Sequence, residues 1–224
     1  MNNIRAIVFD FDGLIVDTET ADYLSWKETY EAHGVELPLV AWQAAIGSLN
    51  LFDPYRYLEE QVGRTLDQEA VQAQRRARDD VLLAETAVLP GVIAYLDEAE
   101  RLGLRVAIAS SSPRIWLETH LTRLNLRHRF PILRGSDDVG GRAKPDPAVY
   151  RAALQALGIT GAEALALEDS PNGARAAVQA GLWCVAVPNG MTRGLDFGEV
   201  AYRLTALTDM SLAQLITEVT GYAV

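Results

Sequence analysis

The sequence predicts an α/β protein, a doubly wound parallel sheet interrupted by one helical insertion, and three observations predict it. Four short runs, "IRAIVFD" (4–10), "LRVAIAS" (104–110), "ALALED" (164–169) and "LWCVAVP" (182–188), are almost continuously apolar and β-rich, as strands buried on both faces are. Helical patterns with legible ends alternate with these runs, which implies parallel strands joined by right-handed crossovers. The alternation fails once: residues 18–87 carry only helical pattern.

The elements follow in chain order. The first strand runs into Asp10. After it come "ADYLSWKETYEAH", "VAWQAAIG", "PYRYLEEQVG" and "LDQEAVQAQRRARDDVLLAE", each with helical spacing of its apolar residues. They are expected to form an inserted helical subdomain over 18–87, leaving 1–17 and 88–224 as the α/β core. "VLPGV" (88–92) is the expected re-entry hinge, and "GVIAYLDEAERLG" the helix leading to the second strand. In "SSSPRIWLETHL", Ser112 is the expected N-cap with Pro113 at the first helical position. "FPILRGS" (130–136) is a weaker strand. "KPDPAVYRAALQALG" repeats the start signal with Asp146 and Pro147 and closes on Gly158; "EDSPNGARAAVQAG" repeats it with Ser170, Pro171 and Gly181. "LTALTDMSLAQLITEVTGY" reads as a short edge strand or turn followed by a terminal helix.

Composition narrows the partners. Nearly half of the 224 residues are apolar, and 30 acidic residues face 20 basic ones. The average field therefore repels nucleic-acid backbones and anionic membranes, and neither is expected as a partner. An anionic ligand needs a local device. The N-terminal apolar stretch is cut by Asp10 and Asp12, so a secretory signal or spanning helix is not expected, and a cytoplasmic monomer is. Cys184, the single cysteine, excludes an internal disulfide and reads as a buried small hydrophobe.

Ligands of open α/β sheets bind beyond the carboxyl ends of the strands. There the sequence sets Asp10 and Asp12, Ser110 and Ser111, Glu168 and Asp169, with Lys144 just before a helix start. Four carboxylates cannot ionise side by side unless a cation sits among them. A hard divalent metal suits oxygen ligands, and Mg²⁺ suits a site that also takes phosphate oxygens. Phosphoryl transfer then has a candidate for every part: Asp10 to attack phosphorus, Asp12 to protonate the leaving oxygen and activate water, Ser110 and helix-start N–H groups to hold phosphate, and Lys144 to offset charge. The plainer readings are a turn for Asp10-Phe11-Asp12-Gly13, a cap for Ser110, a surface charge for Lys144, and helix-dipole partners for Glu168 and Asp169. The spacing after Gly13 does not match a calcium-binding EF-hand loop.

"VFDFDGLIVDTE", "IASSS", "GRAKPDPAVY" and "ALEDSPNG", in this order, resemble the four motifs of the haloacid dehalogenase superfamily. The insertion after the first motif is similar to the α-helical cap of the β-phosphoglucomutase and phosphoglycolate phosphatase branch. The resemblance implies a Rossmann-like core and a phosphatase of small phosphate esters. It implies Asp10 as nucleophile, Asp12 as general acid/base, and Ser110, Ser111 and Lys144 at the substrate phosphate. Mg²⁺ would be held by Asp10, the Asp12 carbonyl and Asp169, with Glu168 assisting. True dehalogenases of the superfamily lack the second aspartate, so Asp12 favours phosphate chemistry.

Many capped relatives, the mutase included, have histidine twelve residues after the nucleophile; Asp22 stands there instead. A carboxylate at that point repels the second phosphate of a bisphosphorylated sugar, so hydrolysis is expected over mutase activity. A phospho-receiver domain is the rival from another class, opposed by the long helical insert. In the insert, Gly47 can bring backbone close to the site, and Trp42, Asn50, Arg75 and Arg76 are candidates for the leaving group, with cap core and solvated helix face as the plainer readings.

Overall fold

A computed structural model describes residues 4–48 and 51–221. Six parallel strands form one sheet: β1 (Ala6–Phe9), β2 (Arg105–Ala109), β3 (Ile132–Arg134), β4 (Ala164–Glu168), β5 (Trp183–Ala186) and β6 (Tyr202–Arg203). Their spatial order is β3-β2-β1-β4-β5-β6. The chain first winds from β1 through β2 to β3, then returns to place β4 on the other side of β1. Strand order thus reverses between β1 and β4, and the crevice for a ligand opens at their carboxyl ends.

The central strands are mostly apolar because both faces are covered. Ile7, Phe9, Ile108, Leu165, Leu167 and Val185 face one side, where α5 (Val92–Arg101), α6 (Arg114–Arg123) and α9 (Leu212–Thr220) close the core. Ala6, Val8, Ala107, Ala109, Ala164, Ala166 and Ala186 face the other, under α7 (Ala148–Leu157) and α8 (Pro171–Gln179). The small residues on that face let α7 and α8 pack close to the sheet. On the first face each fully buried Leu, Ile or Phe contributes roughly 1.5–3 kcal/mol relative to exposure. Cys184 lies buried on the alanine face, as expected, and burial pushes its thiol pKa up.

Between β1 and α5 stand α1 (Thr18–Ala32), α2 (Leu39–Ala45), α3 (Pro54–Val62) and α4 (Gln68–Ala84). They share a hydrophobic cluster of their own, built on Trp26, Tyr30, Trp42, Tyr55, Leu58 and Val71. Asp17 caps α1 by accepting from Thr20 N at 3.0 Å. The outgoing and returning chains run together: Val16 and Val88 form an antiparallel bridge, and Leu89 N donates to Ile15 O at 2.9 Å.

Three local expectations are corrected. Helix α6 starts at Arg114 with extended Pro113 before it, so Ser112 is not its N-cap; Asp137 Oδ1 accepts from Arg114 N instead, and the Ser112 hydroxyl turns to Asp12. Helix α7 starts at Ala148 rather than after Asp146, though Asp146 Oδ1 still accepts from Ala148 N. The edge strand is Tyr202–Arg203, just before the segment expected to hold it, where Leu204 and Leu207 turn into the core. Ser170, Pro171 and Gly158 act as read: Ser170 Oγ accepts from Gly173 N, Pro171 opens α8, and Gly158 ends α7 in the left-handed region. No helix of the described residues is long and apolar enough to cross a membrane.

Candidate active site

Asp10 directly follows β1 at 3 % exposure, and its backbone N–H donates to Leu167 O across to β4. That pairing sets its carboxylate beside Glu168 and Asp169. One oxygen from each of the three carboxylates lies within 4.8 Å of the others, and all three residues are buried. Lys144, whose peptide bond to Pro145 is cis, reaches in from the loop before α7. Its Nζ donates to Asp10 Oδ1 and Glu168 Oε1, both at 2.6 Å. Tyr150 OH donates to the same Glu168 oxygen at 2.5 Å. Asn189, just beyond β5, donates from Nδ2 to Asp169 Oδ2 at 2.7 Å and to Gly13 O at 3.1 Å.

The electrostatics follow from burial. Withdrawal from water and the neighbouring Glu168 push the Asp10 pKa up to about 7, although Lys144 pulls it down. Burial, with Asp10 and Glu168, pushes Asp169 well above the usual carboxylate range. Burial alone would lower the Lys144 pKa, yet the two carboxylates outweigh it and keep the ammonium charged. A single ammonium faces three carboxylates, an arrangement that calls for a further cation. Asp169 Oδ1 points the same way, being buried without a hydrogen-bond partner among the described residues. An all-oxygen set with an orphaned carboxylate oxygen fits a hard divalent ion such as Mg²⁺, and such an ion would reverse the upward pKa shifts.

Asp12 stands apart from that trio. Its Oδ1 accepts from Thr18 Oγ1 at 2.8 Å and Trp116 Nε1 at 2.9 Å; its Oδ2 accepts from Ser112 Oγ at 2.6 Å and Ser110 Oγ at 3.2 Å. The carboxylate is thus held by four donors rather than aimed at the metal-type cluster. Ser110 sits between Asp12 and the backbone, accepting from Ser112 N at 3.0 Å. Ser111 is committed elsewhere: its Oγ donates to Gly47 O at 2.9 Å and accepts from Lys144 N at 3.1 Å, tying the helical segment to the core. Gly47 has φ +80°, and a Cβ there would stand 2.2 Å from Ser170 Oγ, so the close approach requires glycine.

A cavity of about 410 Å³ lies over these groups and extends beneath α1, α2 and α4. Trp42, Gly47, Asp22 and Arg75 line it, whereas Arg76 is an exposed residue outside the lining; Asn50 lies outside the described residues. The sequence reading missed Thr18, Ser112, Trp116, Tyr150 and Asn189. Asn189 alone had an available signal, its place just beyond the carboxyl end of an apolar strand.

An open α/β sheet whose switch point carries three carboxylates and a buried lysine, roofed by inserted helices, defines an enzyme. Over residues 4–181 the sequence matches the haloacid dehalogenase-like hydrolases, and the chain belongs to that family. It is 44% identical over 213 residues to "Putative phosphatase YhcW" of Bacillus subtilis (strain 168), covering 95% of this chain and 96% of that one. It is 27% identical to the validoxylamine A 7'-phosphate phosphatase of Streptomyces hygroscopicus subsp. limoneus, covering 92% and 94%. Two crystal structures of CbbY from Rhodobacter sphaeroides, one with phosphate and one, a mutant, with xylulose-(1,5)bisphosphate, each give TM-score 0.74 and 28% identity, covering 95% of this chain and 99% of theirs.

Proposed function

We propose that the protein is a Mg²⁺-dependent phosphatase that hydrolyses small organic phosphate monoesters through an aspartyl-phosphate. The observation that carries this reading is the buried Asp10–Lys144–Glu168–Asp169 group, with its orphaned Asp169 oxygen, beside a separately held Asp12. The relatives named for phosphatase activity, and the phosphate bound to CbbY, agree with it.

In this mechanism a carboxylate oxygen of Asp10 attacks phosphorus and the ester P–O bond breaks. Asp12 gives its proton to the departing oxygen, then takes a proton from the water that attacks the aspartyl-phosphate, releasing phosphate and regenerating the Asp10 carboxylate. Lys144 and Ser110 hold the phosphoryl oxygens; Ser111 contributes its backbone N–H, since its hydroxyl already binds Gly47 and Lys144. Asp10, the Asp12 carbonyl and Asp169 would hold Mg²⁺, with Glu168 orienting Lys144 beside it. When bound, the metal supplies positive charge against the phosphoryl oxygens and keeps Asp10 ionised.

In this reading residues 18–87 act as a cap over a core of 1–17 and 88–224. Its support is the separate hydrophobic cluster of α1–α4 and the paired connectors at Val16 and Val88. The test is phosphate release by the purified protein from p-nitrophenyl phosphate with Mg²⁺, and its loss in EDTA. Inertness with Mg²⁺ across a broad panel of phosphate esters would sink the proposal.

A further inference from the structure

Above Asp10 and Asp12 the cavity runs into the helical segment, where its wall combines charged groups and aromatic rings. Arg75 in α4 donates from Nη1 to Asp22 Oδ1 at 2.6 Å, and Asp79 Oδ2 lies 3.5 Å from the same nitrogen. The guanidinium stands over the Trp26 ring, 5.3 Å from its centroid. Among the described residues of this wall the one cation is therefore answered by two carboxylates, and the group carries net negative charge. A second phosphate or a carboxylate on the ligand would have to displace Asp22 from Arg75 and would still face Asp79.

The residues of this wall also carry polar atoms that no group among the described residues serves. Arg75 Nε, Asp79 Oδ1 and Trp42 Nε1 are buried without hydrogen-bond partners among the described residues, and Asp79 is only 7 % exposed. Two are donors and one is an acceptor. A phosphate or carboxylate only accepts and an ammonium only donates, whereas a hydroxyl does both. Trp26, Trp42 and Phe52 add ring surface for the carbon skeleton of a ligand.

We infer that, within the phosphatase reading on which this rests, the cavity selects monoesters whose leaving group is a neutral polyol and rejects those bearing a second anionic group, with Asp22, Arg75 and Asp79 as the selecting device. This choice separates sugar monophosphates from phosphoglycolate-like acids and from bisphosphates.

The experiment compares kcat/KM for phosphate release within matched pairs, in Mg²⁺: glycerol 3-phosphate against 3-phosphoglycerate, and fructose 1-phosphate against fructose 1,6-bisphosphate. The neutral member of each pair should win, by about tenfold or more over the acid and the bisphosphate. Asp22→Asn, Asp79→Asn and the double variant should narrow those two gaps. Equal or reversed preference in the wild type overturns the inference. So does an acid or bisphosphate gap that all three variants leave unchanged. p-Nitrophenyl phosphate separates the two levels. Its hydrolysis without polyol selectivity refutes the selecting device alone, while inertness with every ester removes the phosphatase reading and the device with it.

Discussion

Gly173→Ala sets two opposing effects against each other. Gly173 lies in the first turn of α8, and alanine there should gain about 1 kcal/mol of helix propensity. A Cβ at that position, however, would stand 1.9 Å from Glu168 Oε2. The carboxylate cannot swing aside cheaply, because its other oxygen binds Lys144 and Tyr150 and the residue is fully buried. Overpacking of this kind costs about 1–3 kcal/mol, and breaking a buried ion pair roughly 3–5 kcal/mol. The clash wins, with a net loss of roughly 2–4 kcal/mol, which for a chain of this size lowers Tm by about 5–15 °C. Thermal unfolding followed by circular dichroism measures it, with Gly190→Ala as control. Nothing lies within 4 Å of a Cβ at Gly190, so that variant should stay within about 0.5 kcal/mol of wild type. A Gly173→Ala protein as stable as wild type, or more so, would refute the claim that Glu168 is pinned against α8.

Further outcomes follow from the same geometry. Trp116→Phe keeps a ring against His120, 4.1 Å away between centroids, but removes the donor to Asp12 Oδ1; kcat should fall roughly tenfold with KM little changed, as steady-state kinetics will show. Enclosure in the cavity raises the Asp22 pKa to about 6, with Arg75 pulling the other way and Asp79 adding to the rise. Asp22 is thus ionised above that pH and neutral below it. The preference for glycerol 3-phosphate over 3-phosphoglycerate should be full at pH 8 and fade as pH falls through 6, the ratio of kcat/KM being the readout; a preference constant from pH 5 to 8 contradicts the assignment. Mg²⁺ added to metal-free protein should raise Tm, because it answers the buried carboxylates; a Tm unmoved by saturating Mg²⁺ would count against the metal site.

The alternation of strands and helices along the chain and the strand-end residues were legible because both depend on local signals. Buried parallel strands are apolar runs, and Asp10, Glu168 and Asp169 stand where such runs stop. Lys144 was legible as a cation near a helix start, though not its burial between two carboxylates. Contacts made across strand ends were hidden. Trp116 reaches Asp12 from 104 positions away, and Tyr150 reaches Glu168 from the next crossover, with no periodicity to announce either. Ser112 was misread because its propensity to cap competes with a long-range acceptor, and Asp12 won. Ser111 looked free for phosphate because its tie to Gly47 exists only once the helical segment is folded over the core. Strand β6, two residues long, is too short to carry an alternation.

The central claim is that Asp10 is the nucleophile and Asp12 the acid/base partner. Rapid quenching of the Asp12→Asn variant with a phosphate-labelled p-nitrophenyl ester, followed by peptide mapping, tests it most directly. A good leaving group lets the first step proceed, and loss of the base slows the second, so label should accumulate on Asp10. Asp10→Asn, nearly isosteric, should fold as wild type and trap none. Label on any other residue, or near-normal turnover by the folded Asp10→Asn protein, would contradict the account.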